Sequence, residues 1–208
     1  MKLLVVCDIH EEEEAVSRIK RRMAEGFEHL LVCGDLSRSV PFAEDFLSQF
    51  PDAFVIPGNW DSEGVNAVMR KARNYAHGKR FELGGGFNLV GFGYSSITPF
   101  HTYGELTEGK IYEGMSPLPI DRNTLLALHC PPKGHFDEAR GSHAGSESIL
   151  RIINEKKPFA AFFGHIHEHS GTSQLGPTKL VKVPAGNTLR AVVAETDGRK
   201  MDLEFVML

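Results

Sequence analysis

The chain has 208 residues and a mass of 23.0 kDa, which fits one domain, residues 1–208, around a sizeable hydrophobic core. Its formal net charge is −4, from 23 basic and 27 acidic residues, so the balance favours neither nucleic acid nor an anionic membrane as a partner. No apolar stretch in the sequence is long enough to span a bilayer, and we expect no signal peptide, because charged residues interrupt the first apolar run.

The first half of the chain alternates apolar runs with segments of helical periodicity. This pattern predicts strands at 2–7, 28–33 and 53–56, and helices at 11–25, 41–49 and about 62–74. The βαβαβ order predicts parallel strands joined by right-handed crossovers. Residues that follow these strands should meet at the carboxyl edge of the sheet, where the sites of open α/β sheets lie.

The second half of the chain is predicted to be less regular. It contains predicted strands near 80–83, 87–92, 124–128 and 159–163, a helix near 145–156, and a long irregular segment at 94–122. The region 170–207 alternates short strands and turns, which predicts antiparallel hairpins with a turn at Asp197-Gly198. We infer an α/β fold in which two mixed β-sheets pack face to face with helices outside.

Five short polar segments each directly follow an apolar run. They are Asp8-Ile9-His10, Gly34-Asp35, Gly58-Asn59-Trp60-Asp61, His129 and Gly164-His165-Ile166-His167. Asp8 and His10 are two residues apart and would share one face of an extended strand end, as would His165 and His167. Seven nitrogen and oxygen ligands converging at one point could hold two divalent ions, with a carboxylate such as Asp35 as the bridge.

The chain has three cysteines, which is not the pattern of a disulfide framework. A reducing cytoplasm is therefore the expected setting. Cys7, Cys33 and Cys130 each lie beside a candidate ligand, but we expect them to be buried apolar thiols. Because side chains alternate along a strand, Cys7 should point away from Asp8.

The ordered set D-x-H, G-D, G-N-x-D, H and G-H-x-H resembles the calcineurin-like metallophosphoesterase superfamily, in particular its small prokaryotic phosphoesterases. The similarity spans residues 1 to about 190. It includes His-x-Pro-Pro at 129–132, Gly-His-Ile-His-Glu at 164–168 and Pro-Ala-Gly-Asn at 184–187. The resemblance implies a four-layer α/β/β/α sandwich of two mixed β-sheets flanked by helices.

The resemblance also implies a role for each ligand. The first metal ion would be held by Asp8, His10, Asp35 and His167. The second would be held by Asp35, Asn59, His129 and His165, with Asp35 bridging the two. Asn59 would also contact a phosphate oxygen, and it forms the catalytic set with His129 and His10. Two divalent ions are expected, with Mn favoured over Fe, Zn, Co or Ni.

Trp60 departs from the superfamily pattern. Many members have a histidine there, held by the following acid, which is Asp61 in this chain, and that histidine donates a proton to the leaving group. Tryptophan cannot do so, and His101, His135, His143 or a metal-bound water are the substitute acids. Trp60 itself either packs locally or forms an apolar wall of the substrate cleft.

The loop at 131–145 directly follows the candidate ligand His129. It carries Lys133, His135, Arg140 and His143, which form either a polar surface loop or contacts to substrate phosphate. With Trp60 they make up the candidate substrate-binding residues. The aromatic segment 94–112 either packs on the sandwich or overhangs the cleft, and we favour the overhang.

The leading hypothesis is a cytoplasmic, binuclear metal-dependent phosphoesterase that cleaves a small phosphodiester by attack of a metal-bridging hydroxide. One alternative is a phosphomonoesterase, including a protein phosphatase. Another is a non-catalytic interaction scaffold on the same fold. A nuclease is disfavoured by the acidic balance. The sequence leaves the oligomeric state open.

Overall fold

A computed structural model describes residues 1–197 and 200–208. The described residues form five α-helices: α1 (Glu13–Met23), α2 (Val40–Gln49), α3 (Glu63–Met69), α4 (Glu108–Met115) and α5 (Glu147–Lys156). None of these helices has the length and apolar character needed to cross a membrane.

The strands of the described residues number fifteen. They are β1 (Lys2–Val6), β2 (His29–Cys33), β3 (Phe54–Ile56), β4 (Arg80–Gly84), β5 (Phe87–Phe92), β6 (Ser95–Ser96), β7 (Glu105–Leu106), β8 (Thr124–Leu128), β9 (Glu138–Ala139), β10 (Ser142–His143), β11 (Ala160–Phe163), β12 (Gly171–Leu175), β13 (Thr178–Lys182), β14 (Arg190–Thr196) and β15 (Met201–Met207).

The first sheet confirms the predicted βαβαβ order. Its strands lie in the order β15-β14-β1-β2-β3. β1 and β2 are parallel with Leu3 opposite His29, and β2 and β3 are parallel with Leu31 opposite Phe54. The carboxyl ends of these three strands therefore lie at one edge. β14 and β15 continue the sheet in antiparallel pairing.

The second sheet has the order β12-β13-β11-β8-β5-β4. Its four inner strands are parallel, and the edge strands β4 and β12 are antiparallel to their neighbours. The pairs β12–β13 and β14–β15 confirm the antiparallel hairpins expected near the C-terminus. The turn expected at Asp197-Gly198 lies partly outside the described residues.

Alternate residues of the strands pack into three separate hydrophobic clusters. In β1, Leu4 faces the cluster that includes Phe46 of α2, whereas Leu3 faces the cluster shared by the two sheets. The third cluster joins the outer face of the second sheet to Ile111 of α4 and Ile152 of α5. The order helix, sheet, sheet, helix is the one that an α/β/β/α sandwich requires.

The prediction of an irregular segment across 94–122 was wrong in its middle, where α4 lies. Thr107 caps this helix by accepting a hydrogen bond from the backbone N–H of Lys110 at 3.4 Å, and Ile111 and Met115 bury one face. Glycines and prolines in and near this short helix predict a loop, which is why the helix was not predicted.

The loop at 131–145 also contains regular structure that was not predicted. β9 and β10 form a small hairpin there. Its turn residues, Arg140 and Gly141, have φ angles of 51° and 79°, as a two-residue hairpin turn with positive φ at both positions requires. The turn therefore sets the direction of the Arg140 side chain.

We expect Phe46→Ala to destabilise the protein by about 3–5 kcal/mol, because this fully buried ring leaves a cavity between α2 and the first sheet. Urea denaturation measures the change. Met207→Ala is the control, since Met207 is 55% exposed on β15, and its cost should stay within about 0.5 kcal/mol. Equal costs for the two variants would contradict this packing.

Candidate metal centre

The loops after β1 and β2 run side by side. The backbone N–H of Asp8 donates to the carbonyl of Gly34 at 3.0 Å, and that of His10 donates to the carbonyl of Asp35 at 3.1 Å. Asp8, His10 and Asp35 have φ angles of 53°, 49° and 52°. The expectation that Asp8 and His10 share a face of an extended strand was therefore wrong. Left-handed turns bring their side chains into one site instead.

Two glycines allow the loops to approach this closely. A Cβ atom at Gly58 would lie 2.0 Å from Oδ1 of Asp35, and one at Gly164 would lie 1.8 Å from Sγ of Cys7. No side chain fits at either distance. These glycines therefore let the loops that carry Asn59 and His165 close over the carboxylates.

Asp8, His10 and His167 form the first group of potential ligands, whose ligand atoms all lie within 4.8 Å of one another. Nε2 of His167 is 3.6 Å from Oδ1 of Asp8, and Nε2 of His10 is 3.9 Å from Oδ2 of Asp35. Oδ1 of Asp8 and Nε2 of His10 are buried and have no hydrogen-bond partner among the described residues. Burial without a partner is costly, and a bound cation would satisfy both atoms.

Asp35, His129 and His165 form the second group, also within 4.8 Å. Nε2 of His129 is 3.4 Å from Oδ1 of Asp35 and 2.9 Å from Oδ1 of Asn59. Nδ1 of His129 lies 2.9 Å from the carbonyl oxygen of Cys33. Donation from Nδ1 to this carbonyl makes Nε2 the atom that would coordinate a metal ion once it loses its proton, which is the arrangement of a metal-bound histidine. The residues of both groups therefore fit divalent ions.

The buried charges shift the titration of these groups. Burial and the charge of His129 lower the pKa of His165 to about 4, so its imidazole is neutral near pH 7. Burial alone would lower the pKa of His129, but Asp35 and Asp8 outweigh it and raise that pKa to about 9. Despite burial, contacts with His167 and His129 hold the pKa of Asp8 well below its usual range. The two carboxylates are therefore ionised and strongly attract positive charge.

The three cysteines are buried and free, as expected. Cys7 does not point away from Asp8, however, because β1 ends at Val6 and strand alternation ends with it. Sγ of Cys7 lies 3.9 Å from Nδ1 of His129 and 2.9 Å from the carbonyl oxygen of Cys33. Burial and the charge of Asp8 raise the pKa of the Cys7 thiol. Cys7 also forms a third group of potential ligands with Asp8 and His129.

Asp61 aligns the backbone around the site. Its carboxylate accepts hydrogen bonds from the backbone N–H groups of Gly58 at 2.7 Å, Ser37 at 2.8 Å and Asp35 at 3.1 Å. The backbone N–H of Trp60 donates to Oδ1 of Asp35 at 2.8 Å. Asp61 therefore connects the loop that carries Asp35 to the loop that carries Asn59.

The Trp60 side chain lies at the edge of the site. Its ring meets the His10 ring edge-on with centroids 4.8 Å apart, and the Arg38 guanidinium lies 5.6 Å from the ring centroid. Trp60 also lines a cavity of about 310 Å³. Trp60 therefore packs locally on His10, and its role as an apolar wall of the substrate cleft stays a prediction.

Sequence reasoning missed a contact that orients Asn59. The amide Nδ2 of Asn59 donates to Oγ1 of Thr102 at 2.7 Å, and the Thr102 hydroxyl donates to Oε1 of Glu105 at 2.6 Å. These two hydrogen bonds fix the orientation of the Asn59 amide, so that its oxygen faces His129. The only trace in the sequence is the Thr102-x-x-Glu105 spacing, inside a segment predicted to be irregular.

Residues 1–191 match the family model described as the calcineurin-like phosphoesterase superfamily domain. The chain belongs to this superfamily. An uncharacterized protein of Methanocaldococcus jannaschii, MJ1162, is 30% identical over 194 residues, which cover 87% of each chain.

Two solved structures resemble this calcineurin-like phosphoesterase in fold. The protein TT1561 of Thermus thermophilus has a TM-score of 0.74 at 13% identity, with 98% of this chain and 97% of that chain covered. A dimetal phosphatase from Danio rerio has a TM-score of 0.64 at 11% identity, with 99% and 95% covered. Because the sequence identities are only 13% and 11%, these similarities establish the fold alone.

The structure has a cleft of about 830 Å³ next to the candidate metal centre. Its lining includes His165, His167, Arg140 and His143. Nδ1 of His143 is 2.8 Å from Oδ1 of the buried Asp137, which holds the ring in place. Two of the predicted substrate contacts, Arg140 and His143, therefore lie beside the ligands.

The two other loop residues lie elsewhere. Lys133 forms an ion pair with Glu147 and lines a different cavity. His135 is not among the described residues that line either the cleft or the cavity beside Trp60. The segment at 97–100 does line the cleft, as the favoured overhang requires, whereas Ile111 packs in the core.

We expect Thr102→Val to raise the Kd for Mn²⁺ about 10-fold, the lower end of the range for residues that orient metal ligands. Loss of the hydroxyl frees the Asn59 amide to rotate, while the side chain keeps its size. Thr102→Ser keeps the hydroxyl and should bind Mn²⁺ like the wild type. Isothermal titration calorimetry measures all three proteins, and equal affinities for the Val and Ser variants would contradict the orienting role.

Proposed function

We propose that this calcineurin-like phosphoesterase is a binuclear metal-dependent enzyme that hydrolyses a phosphodiester. The observation that carries the proposal is the position of Asp35. One carboxylate oxygen lies 3.9 Å from His10 of the first ligand group, and the other lies 3.4 Å from His129 of the second. A carboxylate that lies between two histidine-containing groups could serve as a ligand of both ions.

We propose the assignment of ligands that the family resemblance implies, and the two groups of potential ligands support it. Asp8, His10, Asp35 and His167 would hold the first ion, and Asp35, Asn59, His129 and His165 would hold the second. Mixed imidazole and carboxylate ligands suit manganese, which we favour, and also iron, zinc, cobalt and nickel. The Danio rerio protein of similar fold is a dimetal phosphatase, which supports two ions.

When bound, two such ions would lower the pKa of a water molecule toward neutrality and take up charge on the phosphoryl oxygens. The chain's own residues supply the geometry. The Thr102 contact orients the Asn59 amide, and the Cys33 carbonyl orients the His129 ring. Asn59, His129 and His10 would then line the position of the reacting phosphate. Preorganised groups of this kind need no rearrangement during the reaction.

Two features favour a diester substrate. The Trp60 indole N–H is not acidic near neutral pH and cannot protonate a poor leaving group, and the apolar ring suits the lower charge of a diester. The cleft of about 830 Å³ also has room for a second ester group. Arg140 and His143 favour a phosphomonoesterase as the second candidate, since two donors suit a phosphate dianion. In either case the substrate would be a small phosphoester, and the buried free thiols favour a cytoplasmic location.

We expect Asp35→Asn to lower the bound Mn²⁺ below two ions per chain. We also expect it to lower kcat for bis(p-nitrophenyl) phosphate about 1,000-fold, which corresponds to ~4 kcal/mol of transition-state stabilisation by the metal ions. The amide cannot bridge two cations. Plasma mass spectrometry counts the metal. Asp52→Asn is the matched control, because Asp52 is exposed and forms an ion pair with the surface residue Arg73. Full activity of Asp35→Asn, or of metal-free protein, would refute the proposal.

The preference for a diester is tested separately. We expect kcat/KM for bis(p-nitrophenyl) phosphate to exceed that for p-nitrophenyl phosphate in the Mn²⁺-loaded protein, because Trp60 replaces the usual acid. Steady-state assays of released p-nitrophenolate give both constants. A higher kcat/KM for the monoester would favour the second candidate.

A further inference from the structure

Exposed apolar side chains concentrate on one loop beside the candidate metal centre. The exposed large hydrophobic residues of the described chain are Ile97 (62%), Phe100 (71%), Tyr103 (49%) and Met207 (55%). Three of these four lie within the segment 97–103, which we call the cleft loop. A local cluster of exposed apolar groups at a cleft is typical of a binding surface.

The cleft loop is tightly anchored by Glu105. Its carboxylate accepts hydrogen bonds from the hydroxyl of Thr98 at 2.5 Å and from the hydroxyl of Thr102 at 2.6 Å. It also accepts from the backbone N–H groups of the same two threonines at 3.1 Å and 2.8 Å. Burial opposes the charge of Glu105, but these bonds outweigh it and lower the pKa to about 2. Glu105 therefore anchors the loop on both sides of its tip, and such anchoring lowers the entropy cost of binding.

Phe100, at the tip of the loop, separates two cavities. It lines the cleft of about 830 Å³ that contains His165 and His167. It also lines the cavity of about 310 Å³ that contains Trp60. Phe100 therefore lines the same cleft as two of the candidate ligands, so a group attached to phosphate there could reach it.

The larger cavity combines an apolar wall with polar groups. The apolar part of the lining includes Ile97, Pro99, Phe100 and Ile166, and the charged and polar part includes Arg140, His143 and Glu168 beside His165 and His167. A planar ring packs well against an exposed phenyl ring. An arginine at the same cavity can donate hydrogen bonds to a phosphate oxygen. An aromatic group esterified to phosphate matches both features.

We propose that the cleft loop recognises the second, non-reacting ester group of the substrate, and that this group is aromatic. It would lie in the larger cavity against Phe100, with Arg140 directed to the phosphate. The inference rests on the proposed phosphodiesterase function, because only a diester carries a second ester group. It adds a substrate class, aryl phosphodiesters, and a residue that selects it.

Two substrates with the same leaving group isolate this contact. Bis(p-nitrophenyl) phosphate carries an aromatic second ester, and ethyl p-nitrophenyl phosphate carries a small alkyl one. We expect Phe100→Ala to raise KM for the aryl diester about 5–10-fold, the range of an aromatic contact, and to change KM for the ethyl diester less than about 2-fold. The ratio of variant to wild type cancels the intrinsic difference in reactivity between the two esters.

Two control variants accompany the test. Phe100→Tyr keeps the ring and should retain the wild-type KM for both esters. Met207→Ala removes an exposed apolar side chain on β15, outside the cleft, and should change neither constant.

An equal effect of Phe100→Ala on both esters, or none on either, would overturn the inference while leaving the proposed function intact. A wild-type protein that is loaded with Mn²⁺ and hydrolyses neither ester would contradict the proposed function, and the inference would fall with it.

Discussion

Two buried carboxylates at the ends of neighbouring parallel strands, Asp8 and Asp35, determine much of this structure. An ionised carboxylate is costly to bury unless hydrogen bonds and opposite charge surround it. Backbone N–H groups of His165 and Trp60 donate to these carboxylates, and histidines approach them from both sides. Oδ1 of Asp8 still has no hydrogen-bond partner in the described structure. The remaining negative charge is what makes the site a place for divalent cations rather than a purely structural network.

The backbone accepts strain to build this arrangement. Asp8, Asp35 and His165 all have positive φ angles, which cost a residue with a Cβ atom of the order of 1 kcal/mol or more each. The close approach at Gly58 and Gly164 adds a steric requirement that no other residue meets. Such strain persists only where the surrounding sheets determine the geometry, and here the strand ends of a tightly packed sandwich do so.

The strands, their parallel order and the residues that gather at their ends could be predicted, because buried parallel strands are continuous apolar runs and their carboxyl ends meet. The tight turns were not predictable, since alternation along a strand says nothing about a residue just past its end, as Cys7 shows. Thr102 and Glu105 come from a distant loop, and only the fold brings that loop to Asn59. Lys182 is fully buried near Asp8, although its strand, Thr178–Lys182, gives no sign that a lysine would face inward.

The ligand groups, the Asn59 contact and the cleft loop form one connected unit, which we propose holds two ions, one on each side of Asp35. Anomalous diffraction at the manganese edge, from crystals grown with Mn²⁺, can locate the two ions. We predict two peaks, one among Asp8, His10 and His167 and the other among Asn59, His129 and His165, with the Asp35 carboxylate between them. A single peak, or a peak bound by Cys7, would contradict the account.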